Sequence, residues 1–501
     1  MGSELMVSAD ALVRFLGKSR QEFTKADILR YVSANNIEMV NLRYAGADGR
    51  LKTLNIMFHG LEYLDTILTS GERVDGSSLF PYVEAGSSDL YVMPRYRTAF
   101  LNPFTPVPTL DILCSYYTKD GKPLEMSPEY TLRKAHRELK RVTGLEYEVM
   151  GELEYYVVSD AEELFPADDQ RGYHESAPFN KSGDFRVQAM KYIVAAGGKI
   201  KYGHSEVGNF TSDGKTYEQN EIEFLPVPLE EAADQLMIAK WILRVLAYQR
   251  GVNITFAPKI TVGKAGSGLH VHTRLKKNGE SVMIDRGKLS ASALKAIAGY
   301  LYLAPSLTAF GNTNPTSYFR LVPHQEAPTT ICWGDRNRSV LVRVPLGWTE
   351  GAGAMIVEAN PLERPPVTDF SQRQTVEFRC PDGSADIYLL LAGLAVAARH
   401  GFEMENALDY ARERYVDVNI FAEGNERVTD HLGRLPASCQ ESAGRLQEQR
   451  EVFERHGVFS PRLIDGTIEM LRRFQDGNLR EECGEDAGRV MSLVRRFFHC
   501  G

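Results

Sequence analysis

The sequence predicts an α+β protein with more than one domain, on three observations. Its 501 residues exceed the usual size of one domain. Long helical patterns stand beside groups of strands instead of alternating with them one for one. Four short runs, Glu152-Leu153-Glu154, Glu221-Ile222-Glu223, His270-Val271-His272 and Glu377-Phe378-Arg379, place polar residues two apart around an apolar one. Such a run is a strand that buries one face and presents polar groups on the other.

The elements follow in order. Residues 24–38 predict a helix with Thr24 as its N-cap. Residues 39–44 and 51–56 flank Gly46-Ala47-Asp48-Gly49 and predict a hairpin. The run 99–117, with prolines at 103, 106 and 108, reads as edge strands and turns that close a small unit. Polar Lys119-Asp120-Gly121-Lys122-Pro123 marks a boundary. The expected division is an N-terminal extension 1–23, a small α+β domain 24–120 and a larger domain 121–501. In the larger part, 230–250 carries apolar residues at helical spacing and stops at Gly251. Residues 440–456, 464–474 and 485–498 predict further helices with solvated charged faces.

Composition narrows the function. A formal net charge of −8 argues against a nucleic-acid partner held by a basic surface. No apolar run reaches membrane-spanning length, and Met1-Gly2-Ser3-Glu4-Leu5-Met6 lacks the basic and apolar regions of a signal peptide. The six cysteines are scattered without CxxC spacing. The expectation is a cytoplasmic protein with free thiols, no structural zinc and no membrane partner.

One Glu-x-Glu or His-x-His is more often the solvated face of an edge strand than a site. If the four strands share a sheet, however, their polar faces converge on one charged pocket. Carboxylates about 4 Å apart repel by roughly 4 kcal/mol per pair at an effective dielectric near 20. The pocket therefore requires cations, and the pattern points to metal.

The resemblance is carried by runs in a fixed order: Val74-Asp75-Gly76-Ser77-Ser78; Gly151-Glu152-Leu153-Glu154; His204-Ser205-Glu206-Val207 with Gln219-Asn220-Glu221; Gly266-Ser267-Gly268-Leu269-His270-Val271-His272; Arg320-Leu321-Val322-Pro323 through Glu326-Ala327-Pro328; Arg336-Asn337-Arg338-Ser339 through Arg343-Val344-Pro345; and Val376-Glu377-Phe378-Arg379-Cys380-Pro381-Asp382. With these the chain resembles the bacterial class I glutamine synthetase family from about residue 24 onward. The resemblance implies an N-terminal β-grasp-like domain and a C-terminal catalytic domain with a bent antiparallel sheet. It also implies a homo-oligomer, a dodecamer of two hexameric rings with active sites between subunits.

The implied reaction is ATP-dependent ligation of ammonium to the γ-carboxylate of L-glutamate through γ-glutamyl phosphate, a step of glutamine biosynthesis and nitrogen metabolism. Two or more Mg²⁺ or Mn²⁺ ions per site suit oxygen-rich ligation with one imidazole. By position, Glu154, Glu206 and Glu221 would hold one metal, and Glu152, His270 and Glu377 the metal bridging the ATP phosphates. Arg320, Arg379 and Gly266 would bind glutamate, and Glu326 would belong to a flap that closes over it. Arg338 and Arg343 would stabilise the transferring phosphoryl group, and His272 would line the nucleotide pocket. Asp75 from a neighbouring subunit, with Ser78, Tyr173 and Glu206, would bind ammonium. Glu223 has no family role and reads as structural.

Several positions depart from the family pattern. The segment between Glu206 and Glu221 is longer than usual, and 210–215 reads as a hairpin tip. Ala265 replaces an asparagine at the amino-acid site. On the nucleotide side, Arg274, Gln372 and Lys201 replace a serine, a lysine and a glutamate. The segment Val418-Asn419-Ile420-Phe421 resembles a loop that carries an adenylylated tyrosine in many class I enzymes, with Phe421 where the tyrosine would be. Two alternatives stand beside the leading reading: a γ-glutamyl-amine ligase that takes an organic amine, and a non-catalytic structural or regulatory relative.

Overall fold

The computed structural model describes residues 7–83, 88–322, 327–347, 352–365, 369–422, 425, 428–484 and 486–501. Thr24 caps the helix Lys25–Ala34 in a reciprocal box with Asp27, satisfying two N–H groups that the first turn leaves without partners. The strands β1 (Met39–Ala45) and β2 (Leu51–Met57) form the expected hairpin. They continue through β3 (Glu72–Asp75), β4 (Asp89–Pro94), β5 (Phe100–Leu101) and β6 (Thr109–Tyr117) into one sheet of order β2-β1-β6-β4-β3, with β5 also on β6.

The reading of 99–117 as edge strands is corrected in its second half. β6 is central, parallel to β1 on one side and antiparallel to β4 on the other. The prolines lie before it, so Thr109–Tyr117 keeps every N–H for the ladder, and eight of its nine residues are buried.

The larger unit is built on a ten-stranded sheet. Its strands are β7 (Glu146–Asp160), β8 (Ile200–Ser212), β9 (Lys215–Phe224), β10 (Val227–Pro228), β11 (Asn253–Thr255), β12 (Leu269–Lys277), β13 (Glu280–Ser281), β16 (Trp333–Asp335), β17 (Val342–Val344) and β18 (Val376–Phe378), while β14 (Ile284–Asp285) and β15 (Lys288–Leu289) form a separate hairpin. The main path runs β16-β17-β18-β12-β7-β9-β8, antiparallel except for β16 with β17.

Helices Pro128–Thr143, Leu229–Arg250, Ala291–Gly311 and Ile387–Glu403 share one core with the apolar residues of these strands. Gly151 lies where helix and sheet meet, and a Cβ there would stand 3.0 Å from the Leu236 side chain, which would have to give way. With the helices covering the face that carries Leu153, Ile222, Val271 and Phe378, the alternate residues of the same strands are left for the site.

The two units are joined by buried ion pairs. Asp234, on Leu229–Arg250, receives Nη1 and Nη2 of Arg95 at 2.8 and 2.9 Å, Nη2 of Arg97 at 3.2 Å and the Tyr388 hydroxyl at 2.8 Å. Arg43 of β1 pairs with Asp111 at 2.6 Å and lays its guanidinium over the Trp241 ring, 4.2 Å from the centroid. Among the described residues, no single helix is long and apolar enough to cross a membrane.

Candidate active site

Cross-strand register assembles the site. Glu152 pairs with His270 on one side and Glu223 on the other; Glu154 pairs with Glu221, which pairs with His204; Glu377 pairs with His272 and Arg343. These positions share the face away from the helices, so the four patterned runs do converge. Two adjoining cavities follow, of about 960 Å³ and about 270 Å³, with Glu154, Glu206, Val207, His270 and Arg379 common to both.

One candidate metal group is Glu152, His270 and Glu377, one ligand atom from each lying within 4.8 Å of the others. A second is Glu206, Glu221 and His204. Glu154, expected in this second group, stands outside it: its Oε2 accepts from Gly268 N at 2.7 Å and Gln219 Nε2 at 2.9 Å. His204 stands beside this pair, with Nε2 3.4 Å from Glu221 and Nδ1 3.8 Å from Glu206. His204-Ser205-Glu206 has the same two-residue spacing as the other runs, so the signal for His204 was available. Glu223, read as structural, lines the larger cavity and forms a third group with Glu152 and Glu221.

Glu206 reaches its neighbours because β8 bulges against β9 between Ser205 and Asn209. Beyond the bulge the extra residues run outward as a hairpin, turning at Asp213-Gly214, both at positive φ. The long segment between Glu206 and Glu221 therefore leaves the two side chains together.

The electrostatics show an excess of negative charge. Burial and the carboxylates of Glu152, Glu154, Glu206 and Glu223 push Glu221 well above the usual range. Burial also works against charge on Glu152, but His272 and His270 outweigh it and hold the carboxyl well down. His272 lies 2.8 Å from Glu152 Oε1 and 2.9 Å from Thr375 Oγ1. Its burial opposes protonation, yet Glu152 raises its pKa above the ordinary value. Glu377 receives Arg343 Nη1 and Arg379 Nε, each at 3.0 Å.

Arg379, Arg338, Arg343, Tyr173 and His272 line the larger cavity, and Gly266, Arg320 and Arg379 the smaller. Arg320 is held by Cys380 O at 2.8 Å and Pro381 O at 3.2 Å. Gly266 is sterically required, since a Cβ would sit 2.6 Å from Pro258 O and 3.0 Å from Arg320 Cγ. Ala265 lines the smaller cavity, with its N–H on Gln170 Oε1 at 2.7 Å.

The nucleotide-side substitutions are engaged with protein groups. Arg274 donates to Glu148 and to Gln372 O, and Lys201 to Glu223. Asp75 and Ser78 are exposed at the end of β3 and line neither cavity of their own chain. Hydroxyls of Ser78, Ser77 and Ser88 hold the Asp75 carboxyl well below the usual range. Glu326 lies outside the described residues.

The sequence matches two family descriptions, "Glutamine synthetase, beta-Grasp domain" over residues 36–119 and "Glutamine synthetase, catalytic domain" over residues 125–476. The chain belongs to the glutamine synthetase family.

Similar curated proteins include the glutamine synthetase of Clostridium saccharobutylicum, 30% identical over 436 residues that cover 85% of this chain and 90% of that protein. The glutamine synthetase of Thermus thermophilus is 30% identical over 453 residues, covering 87% and 92%. In fold, the chain resembles glutamine synthetase of Plasmodium falciparum (TM-score 0.74, 19% identity, covering 91% and 97%) and GmaS without ligand (TM-score 0.73, 18% identity, covering 93% and 99%). The glutamine synthetase family uses ATP and divalent metals. The donor sets described above fit such ions, being rich in carboxylate oxygen with one imidazole in each of two groups.

Proposed function

We propose that this chain is a glutamine synthetase: it ligates ammonia to the γ-carboxylate of L-glutamate at the expense of ATP, through γ-glutamyl phosphate, releasing glutamine, ADP and phosphate. The observation that carries this reading is the convergence of Glu152, His270, Glu377, Glu206, Glu221 and His204 where a nucleotide-sized cavity meets a smaller one containing Arg320 and Gly266.

A carboxylate is a poor electrophile, and its phosphorylation supplies a leaving group. The smaller cavity would hold glutamate, its carboxylates met by the planar forks of Arg320 and Arg379. Arg338 and Arg343, on the larger cavity, would offset charge on the transferring phosphoryl group. Mg²⁺ or Mn²⁺ at Glu152, His270 and Glu377, and at Glu206 and Glu221 with His204 or Glu154, would supply the remaining positive charge. The position of Glu326 in the sequence fits a flap over glutamate that excludes water.

Asp75 would bind ammonium and accept its proton with Ser78, Tyr173 and Glu206. Because Asp75 lines neither cavity of its own chain, it would act in the cavity of a second copy, which supports a homo-oligomer with shared sites; a cytoplasmic dodecamer is the proposed form.

The test is ADP release with glutamate and Mg²⁺, comparing ammonium with a panel of primary amines. Release with ammonium at the highest kcat/KM is the expected result. Higher kcat/KM with an organic amine would make the chain a γ-glutamyl-amine ligase, a reading that Ala265 in the amino-acid cavity favours. No release with any acceptor would indicate a non-catalytic relative.

A further inference from the structure

We infer that the ammonium of Lys201 is a built-in third cation of this active site, holding the place that a third divalent ion would otherwise take among Glu152, Glu221 and Glu223. The inference rests on the ligase reading, in which the first two groups bind metal. The third group shares Glu152 with one of them and Glu221 with the other, so Glu223 is the ligand peculiar to it. Nζ of Lys201 lies 2.6 Å from Glu223 Oε1. The Glu223 side chain is only 3% exposed, whereas that of Lys201 is 44% exposed and lines the cavity. The Tyr202 ring lies 4.9 Å from the same ammonium.

Charge balance points the same way. The carboxylates on the larger cavity are Glu152, Glu154, Glu206, Glu221, Glu223 and Glu377. Glu377 is met by Arg343 and Arg379, and Glu223 by Lys201. Glu152 meets His270 and His272, and Glu206 and Glu221 face His204. A divalent ion in the third group would lie against this ammonium, and the two cations would repel. An ammonium is also a fixed donor, present before nucleotide arrives, so this part of the site needs no third ion from solution.

The test counts Mn²⁺ by electron paramagnetic resonance in the full-length chain, with a non-hydrolysable ATP analogue at one per site. Wild type and Lys201→Arg should each bind two ions. Lys201→Met should bind three, and Lys201→Met with Glu223→Gln should return to two.

Three ions on wild type would overturn the inference, as would two or fewer on a Lys201→Met protein with a native circular dichroism spectrum. If Lys201→Met does not fold, the wild-type count decides: two supports the inference and three overturns it. No Mn²⁺ on any of the proteins would overturn the ligase reading itself, and the inference with it.

Discussion

Nδ1 of His270 lies 3.0 Å from Oε2 of Glu152, its cross-strand partner in the antiparallel pairing of β12 with β7. The same imidazole nitrogen is 3.4 Å from Oε1 of Glu377 on the other neighbouring strand, so one histidine draws a buried carboxylate and a partly buried one together. Glu152→Gln and Glu377→Gln should each reduce ADP formation by more than about a hundredfold, since even supporting residues of metal sites cost about 10–100-fold. Near-normal turnover at saturating Mg²⁺ in both variants would refute this assignment. The circular dichroism spectrum should not change.

Cations should also stabilise the fold. With Glu152, Glu154, Glu206, Glu221 and Glu223 in one cavity, Mn²⁺ at a hundred times its Kd should add about 2.7 kcal/mol and raise Tm. Chelation by EDTA should reverse the gain, and Glu221→Gln should shrink it. A Tm indifferent to Mn²⁺ would count against occupied metal groups.

Lys240 gives a pH signature outside the site. It is buried on Leu229–Arg250 and donates to Gly383 O at 2.7 Å, in the loop that follows Arg379. Burial, reinforced by Arg244, lowers its pKa from 10.5 to about 7. Above that value the native side chain is neutral while the unfolded one stays protonated to about 10.4. Unfolding therefore takes up a proton, and stability gains up to about 1.4 kcal/mol per pH unit across this window. The Tm of wild type relative to Lys240→Met should rise between pH 7 and 9.5. A flat difference would mean that Lys240 keeps its charge in the fold.

Asp75→Asn should impair ammonium use more than glutamate or ATP binding, because it removes one proton acceptor at the acceptor site alone. Co-assembled with Arg338→Ala subunits, it should recover part of the activity, since some mixed sites receive neither lesion. No recovery in verified mixed oligomers would argue against a site shared between copies.

Phe421 packs with Val418 against Cys332, Val340, Val416 and Ile420, and its ring has no hydroxyl to carry a nucleotide. Intact-mass analysis of protein from nitrogen-replete cells should show no AMP adduct. An adduct mapped to Tyr415, whose side chain is partly exposed beside Trp333, would show that the modified position has moved.

What the sequence determined by itself was local and periodic. The two-residue spacing at 152, 221, 270 and 377 assigned strands and their polar face, Thr24 assigned a helix start, and Asp213-Gly214 marked an outward turn. Each needs only the geometry of a few consecutive residues. Which partner each residue meets is set by register, bulges and packing across hundreds of positions, and that only the tertiary structure decided. It moved 109–117 from the edge to the centre of its sheet and set His204 beside Glu206 and Glu221. It also brought Lys201 onto Glu223, a pair on adjacent strands whose spacing in the chain carries no signal of contact. The physical reason is that a strand's own sequence fixes which face a side chain occupies, while neighbouring strands and the loops between them fix what stands opposite.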